Sequence, residues 1–280
     1  MSENMLTYIS NAGVMLSLNG KKILIDPLTT PDNQIYVDTE PGIRGALLQN
    51  AAPYNDVDVV LVSHHHRDHF HAESMLQLLK AQPGSQLVST PEVVRRVLEA
   101  AEGEAAGGDW AGLNMNAGTP LSLDRLRVVD LATGEAAALE ISGVKLQVFR
   151  TLHDGEDYAE VPNLMFVIEC GMVVAHLGDS APVPQNFAGA AFADAIARQP
   201  IDLLIANFPY IAIPAARKLV AEMLKPAALA VVHFPDPYKE AARWATVAKK
   251  SFARVQENYL PAVLLETLGE CVALPLEEGI

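Results

Sequence analysis

Short apolar runs broken by turn residues open the chain. Residues 5–10 (MLTYIS), 14–18 (VMLSL) and 21–26 (KKILID) are β-rich, and Asn19-Gly20 between the last two is a strong hairpin signal. Residues 28–55 are rich in Pro, Asp, Asn and Gly and keep no steady period, so they read as a long loop. The continuous apolar run DVVLVS at 58–63 predicts a strand buried on both faces. Helical spacing follows at 72–81, a strand at 86–90, and a helix at 91–101 with Pro91 in its first turn. A Gly- and Ala-rich loop spans 103–120, and strands are expected at 126–131, 137–141 and 144–150. In the second half, 163–170 and 172–178 predict a hairpin around Gly171. Helices at 191–199, 214–225 and 239–255 then alternate with strands at 201–208, 228–234 and 270–276. Strands lead each half and helices alternate later. This order predicts an α/β fold of two sheets packed face to face with helices outside.

Composition narrows the function classes. The chain has 280 residues, half of them apolar, which is ample for a large core. Its net charge of −14 argues against wrapping a phosphate backbone, so no nucleic-acid partner is expected. No run approaches the ~20 apolar residues of a membrane span, and the first residues lack the basic, then apolar pattern of an export signal. The expected location is cytoplasmic. The two cysteines, Cys170 and Cys271, form neither a disulfide framework nor a CxxC site and read as half-buried thiols. The composition is compatible with a homo-oligomer.

Five of the eight histidines fall in residues 63–71, SHHHRDHFH. In an extended segment, side chains two apart point the same way, so His64 and His66 share a face and His65 points away. Asp68 and His69 follow where the chain turns into a helix. Imidazole nitrogen and carboxylate oxygen are ligands that zinc and related divalent metals prefer. His153, Asp179 and His233 also follow predicted strands. Three histidines (His64, His66 and His153) can fill one tetrahedral site with a position left for water. Asp68, His69 and His233 can hold a second metal, with Asp179 bridging. Arg67 reads as a surface charge or a contact for a substrate anion, and His71 as lying on the first helical turn. His176 reads as packing or as support for a ligand. The acidic run Asp154-Gly155-Glu156-Asp157 reads as a solvated turn.

The pattern His64-x-His66-x-Asp68-His69, then His153, Gly178-Asp179 and His233, resembles the metallo-β-lactamase superfamily in motif and order. The opening NAGVMLSLNGKKILIDPL is similar to that family's first strands, with Asp26 as the aspartate behind the metals. AHLGDS and NLMFVIE resemble the branch that includes ascorbate-6-phosphate lactonase. The resemblance implies one αββα sandwich domain over residues 1–280, a four-layer fold with metals at one edge of two mixed sheets. It also implies a hydrolase that uses a metal-bound hydroxide on a small ester, lactone or phosphodiester, with Asp68 orienting the hydroxide or accepting its proton. The implied cofactors are two divalent ions, zinc first, with manganese or iron as alternatives. The implied partner is a small-molecule substrate, selected by the loops over the metal edge, with residues 28–55, 103–120, 154–161, 207–210 and 234–236 as the candidates. Two departures from the pattern are Phe70-His71, where a small residue often stands, and His65 and Arg67 in the variable positions. An iron-dependent oxidoreductase of the same fold and a nuclease of the superfamily are the alternatives.

Overall fold

Each strand that the hydrophobic pattern predicts is present in the computed structural model, which describes residues 3–105, 121–236, 243–256 and 261–276. The first half contributes β1 (Asn4–Tyr8), β2 (Val14–Leu18), β3 (Lys21–Ile25), β4 (Val59–Leu61), β5 (Gln86–Ser89) and β6 (Leu126–Val128). They join one sheet in that order, with β14 (Cys271–Leu274) added beside β1. The second sheet runs β7 (Ala136–Ile141), β8 (Val144–Thr151), β9 (Asn163–Glu169), β10 (Val173–His176), β11 (Leu203–Asn207), β12 (Ala228–Val232) and β13 (Ala262–Leu264). Each sheet opens with antiparallel pairs and becomes parallel, from β3 onward in the first and from β10 onward in the second. Asn19 and Gly20 turn between β2 and β3 with φ of 49° and 79°, as a two-residue hairpin loop requires.

Alternation within the strands builds the layers. In β3, Ile23 and Ile25 face the core between the sheets while Leu24 faces the helices. In β9, Leu164, Phe166 and Ile168 face inward and Met165 and Val167 face outward. Both faces are apolar, so both must be covered. The first sheet is covered by α1 (Pro41–Leu48), α2 (Ala72–Ala81) and α3 (Pro91–Ala105). The second is covered by α4 (Ala190–Arg198), α5 (Pro209–Ala212), α6 (Pro214–Leu219) and α7 (Arg243–Gln256). The result is the expected four-layer αββα sandwich.

Four expectations need correction. The predicted loop at 28–55 contains α1, which starts at Pro41 with the Glu40 carboxylate accepting from the Ile43 N–H at 2.8 Å and buries Ile43 and Leu47. Eight residues are too short for a period to stand out. The expected helix at 214–225 is α6 followed by a wider, π-type turn over Val220–Leu224. β13 (Ala262–Leu264) was not anticipated. The two thiols differ: Cys170 is buried and Cys271 exposed. Most of the loop at 103–120, and the start of the helix expected at 239–255, lie outside the described residues.

Candidate metal centre

The strand ends of both sheets meet at one rim. β4 leaves its sheet at Leu61, and the chain then turns so that the N–H groups of His69 and Phe70 both donate to the His66 carbonyl, at 3.1 and 2.9 Å. His153 follows β8, Asp179 follows β10, and His233 follows β12. The structure brings the seven sequence-predicted residues into two donor groups. His64, His66, His153 and Asp179 form one; Asp68, His69, Asp179 and His233 form the other. Within each group the donor atoms lie within 4.8 Å of one another. Asp179 belongs to both. Its Oδ1 is 3.2 Å from His69 Nε2 and 3.3 Å from His233 Nε2. Its Oδ2 is 3.5 Å from His153 Nε2 and 3.8 Å from His64 Nε2.

Hydrogen bonds behind the rings set their tautomers. The Asp26 carboxylate, fully buried, accepts from Ser63 N–H at 2.7 Å and from Ser63 Oγ at 2.6 Å. A carboxylate at neutral pH only accepts, so the serine proton is committed to it. Ser63 Oγ must therefore accept from His64 Nδ1, 2.9 Å away. By the same logic His69 Nδ1 donates to Asp26 Oδ2 at 2.9 Å, and His153 Nδ1 donates to the Asp154 carbonyl at 2.6 Å. All three rings thus keep a proton on Nδ1 and turn Nε2 toward the centre, the nitrogen a metal takes once any second ring proton is released. His64 Nε2 lies 3.2 Å from His153 Nε2, and His69 Nε2 lies 3.2 Å from His233 Nε2. Zinc–nitrogen bonds of about 2.0–2.1 Å at tetrahedral angles place two ligand nitrogens about 3.3–3.4 Å apart. The spacing and the nitrogen and oxygen donors suit a divalent metal.

The electrostatics point the same way. Burial works against charge on His69 and His233, but Asp179 and Asp68 outweigh it. The His69 pKa rises well above its ordinary value, and that of His233 is pushed up to about 10. Burial likewise opposes ionisation of Asp179, yet His233 and His69 hold its carboxyl well below the usual range. In the other group burial dominates: it lowers His64 strongly and, with His153 nearby, takes His66 down to about 4. The centre attracts positive charge, as protons on one histidine pair or as metal cations. Imidazoles that are already neutral wait on the other side.

Asn11 and Asn163 were missed from sequence, whereas Asn207, Tyr36 and Tyr158 fall in the segments expected over the metal edge and line the cavity there. Asn11 Nδ2 donates to Asp68 Oδ2 at 3.0 Å and Asn207 Nδ2 to Asp179 Oδ1 at 2.7 Å, and each leaves a buried Oδ1 without a partner among the described residues. Asn163 accepts from Asp179 N–H at 2.8 Å and donates to Thr151 and Ser180. Tyr36 packs 4.4 Å from the His233 ring, and Tyr158 4.8 Å from that of His66.

The remaining histidines take other roles. His65 faces a second cavity, away from both donor groups. His71 precedes α2 rather than lying in its first turn; it caps the helix by accepting from Ser74 N–H and pairs with Glu73 at 3.0 Å. His176 is buried between the Ala12 carbonyl and the Gly178 N–H, each 3.0 Å away. The acidic run is divided: Glu156 and Asp157 are exposed, whereas Asp154 lines the cavity over the centre.

Comparison with known proteins finds a sequence family described as a β-lactamase superfamily domain that matches residues 5–208, more than half of the chain. A UPF0173 metal-dependent hydrolase of Sulfolobus acidocaldarius is 24% identical over 233 residues, covering 82% of this chain and 83% of its own. Among solved structures, the metallo hydrolase Igni18 of Ignicoccus hospitalis superposes with a TM-score of 0.59 at 16% identity, over 99% of this chain and 100% of its own. The diiron β-hydroxylase CmlA of Streptomyces venezuelae superposes with a TM-score of 0.56 at 14% identity, over 98% of this chain and 55% of its own. At these identities the two structures speak to the fold alone. Among the described residues, no helix is long and apolar enough to cross a membrane.

Proposed function

We infer that this chain, which belongs to the metallo-β-lactamase superfamily, is a metal-dependent hydrolase that cleaves a small ester, lactone or phosphodiester. The observation that carries the reading is Asp179, which offers one carboxylate oxygen to each of two donor groups. That arrangement supports a dinuclear centre, with His64, His66 and His153 on one side, Asp68, His69 and His233 on the other, and Asp179 between. We read all of these donors as parts of one hydrolase domain over residues 1–280.

A divalent ion bound there supplies Lewis acidity and lowers the pKa of a bound water from 15.7 to about 7. The chain's own residues do the rest. Asp26, Ser63 and the Asp154 carbonyl hold the ring protons on Nδ1, away from the centre. Asn11 and Asn207 keep Asp68 and Asp179 in place. Asp68 orients the attacking water and accepts its proton. The apolar wall of the cavity, with Ile35, Phe208 and Pro235, excludes bulk solvent from the bond being cleaved. Within the superfamily, NLMFVIE and AHLGDS favour the branch that resembles ascorbate-6-phosphate lactonase.

The test is elemental analysis of protein purified without a histidine tag or chelator, followed by assays on lactones, esters and phosphodiesters. About two zinc or manganese ions per chain, with hydrolysis lost on chelation and restored by metal, support the reading. A second reading, iron-dependent oxygen chemistry, draws on the fold shared with the diiron β-hydroxylase and on donors that also suit iron. Iron in the purified protein and oxygen uptake without hydrolysis would favour it.

A further inference from the structure

The cavity over the donor groups holds about 530 Å³, a volume suited to a small molecule. Ile35, Tyr36, Tyr158, Phe208, Pro209 and Pro235 make much of its lining apolar. Among the described residues one lysine or arginine lines it, Arg67. Arg67 is exposed, and its guanidinium has no hydrogen-bond or ion-pair partner among the described residues. Its backbone is fixed, because the Thr30 N–H donates to the Arg67 carbonyl at 2.6 Å and the turn beside it closes on His66.

The bland fate for such an arginine is a surface ion pair, and the structure provides candidates. Arg67 also borders the second cavity, which Glu73 and Glu99 line. Both acids are engaged elsewhere: Glu73 pairs with His71 at 3.0 Å and Glu99 pairs with Arg95. In a chain of net charge −14, a guanidinium with no acid partner, on a residue that lines the cavity over the proposed metal ligands, is conspicuous. Asp154, on the same cavity, opposes a second anionic group.

We propose that Arg67 is a specificity residue that binds an anionic group of the substrate, so that the site takes small, largely apolar monoanions whose charge lies away from the bond cleaved. The proposal rests on the hydrolase reading for its meaning, but binding can test it without turnover. Zinc-loaded protein is titrated calorimetrically with dicarboxylates from succinate to suberate and with monocarboxylates of equal chain length. One carboxylate of either ligand can meet the metals, and only the dicarboxylate has a second to offer Arg67. At the best-fitting length, wild type binds the dicarboxylate about 10- to 100-fold tighter, the range expected of a charge-assisted hydrogen bond. Arg67→Gln loses that preference and Arg67→Lys keeps part of it. An equal ratio in wild type and Arg67→Gln at every length, or no dicarboxylate binding by wild type, overturns the proposal. Turnover of mono-p-nitrophenyl glutarate, an ester with one carboxylate away from the bond cleaved, is followed in the same samples. Its absence beside an intact Arg67-dependent preference counts against the hydrolase reading and leaves the anion anchor standing.

Discussion

Replacing Asp26 with Asn should reverse the direction of a hydrogen-bond chain while preserving its shape. The Oδ1 position accepts from the Ser63 N–H at 2.7 Å, so the amide oxygen takes that place. The amide nitrogen then occupies the Oδ2 position, 2.6 Å from Ser63 Oγ and 2.9 Å from His69 Nδ1. It has two protons for two partners. His69 Nδ1 must now accept, which moves its proton to Nε2. Ser63 Oγ accepts from the amide and donates its own proton to His64 Nδ1, 2.9 Å away, so His64 also carries its proton on Nε2. In both neutral rings the proton then sits on the metal-facing nitrogen. To bind metal, each ring must revert at the expense of a hydrogen bond worth about 1 kcal/mol, or about 2–3 kcal/mol for the pair and the charge lost. That corresponds to roughly 30- to 150-fold weaker metal binding. The metal-free protein keeps every hydrogen-bond partner but loses the charge of the buried His69–Asp26 pair, 2.9 Å apart, so it should unfold below wild type and above Asp26→Ala. Asp26→Ala differs: it strands the Ser63 and His69 donors in a fully buried site and should cost about 3–6 kcal/mol of stability. The assays are competition with a chromogenic chelator, denaturant unfolding, and nitrogen NMR of the histidine rings. Wild-type metal affinity in Asp26→Asn, with the rings still protonated on Nδ1, would refute the reasoning.

Three further outcomes follow from other contacts. A Cβ at Gly178 would lie 2.5 Å from Asn163 Oδ1 and 2.7 Å from Ser63 Cβ, at a φ of +53°, so Gly178→Ala should destabilise by about 2–4 kcal/mol; an unchanged urea midpoint would show that those neighbours yield freely. His66, already neutral at pH 7 with its pKa near 4, can be removed without unbalancing charge. His66→Ala should keep the metal-free fold, lower the metal content and abolish hydrolysis, and full occupancy with retained activity would sink its role as a ligand. In the metal-free protein the His233 pKa is raised from 6.5 to about 10. Its contribution to stability is therefore complete below pH 6.5 and lost as the pH rises through 10. The metal-free Tm should fall across that window, and metal uptake at pH 7 should release this proton, measured by calorimetry in buffers of different ionisation enthalpy.

Period and spacing made most of the layers legible. Runs such as KKILID and NLMFVIE alternate between two apolar faces, which calls for cover on both sides. The seven proposed ligands stood out because histidines and aspartates closing apolar strands are uncommon chemistry in a core. Two short elements escaped, β13 of three residues and α1 of eight, the second because two turns inside a Pro- and Gly-rich stretch do not establish a helical period.

What the linear order determined was the set of elements and the donor types at their ends. The tertiary structure decided how those ends meet. Asp26 and Ser63 are 37 residues apart, and His69 and His233 are 164 apart, yet each pair is in contact. Whether an asparagine such as Asn11 or Asn207 is a surface residue or the support of a carboxylate depends on what lies within about 3 Å of its amide. The same holds for Arg67, whose meaning turns on the acids beside it being engaged elsewhere. Periodicity is a property of neighbours along the chain. Hydrogen-bond direction and charge balance belong to neighbours in space, brought together by strand pairing within a sheet, as for Asp26 and Ser63, and by the meeting of the two sheets, as for His69 and His233.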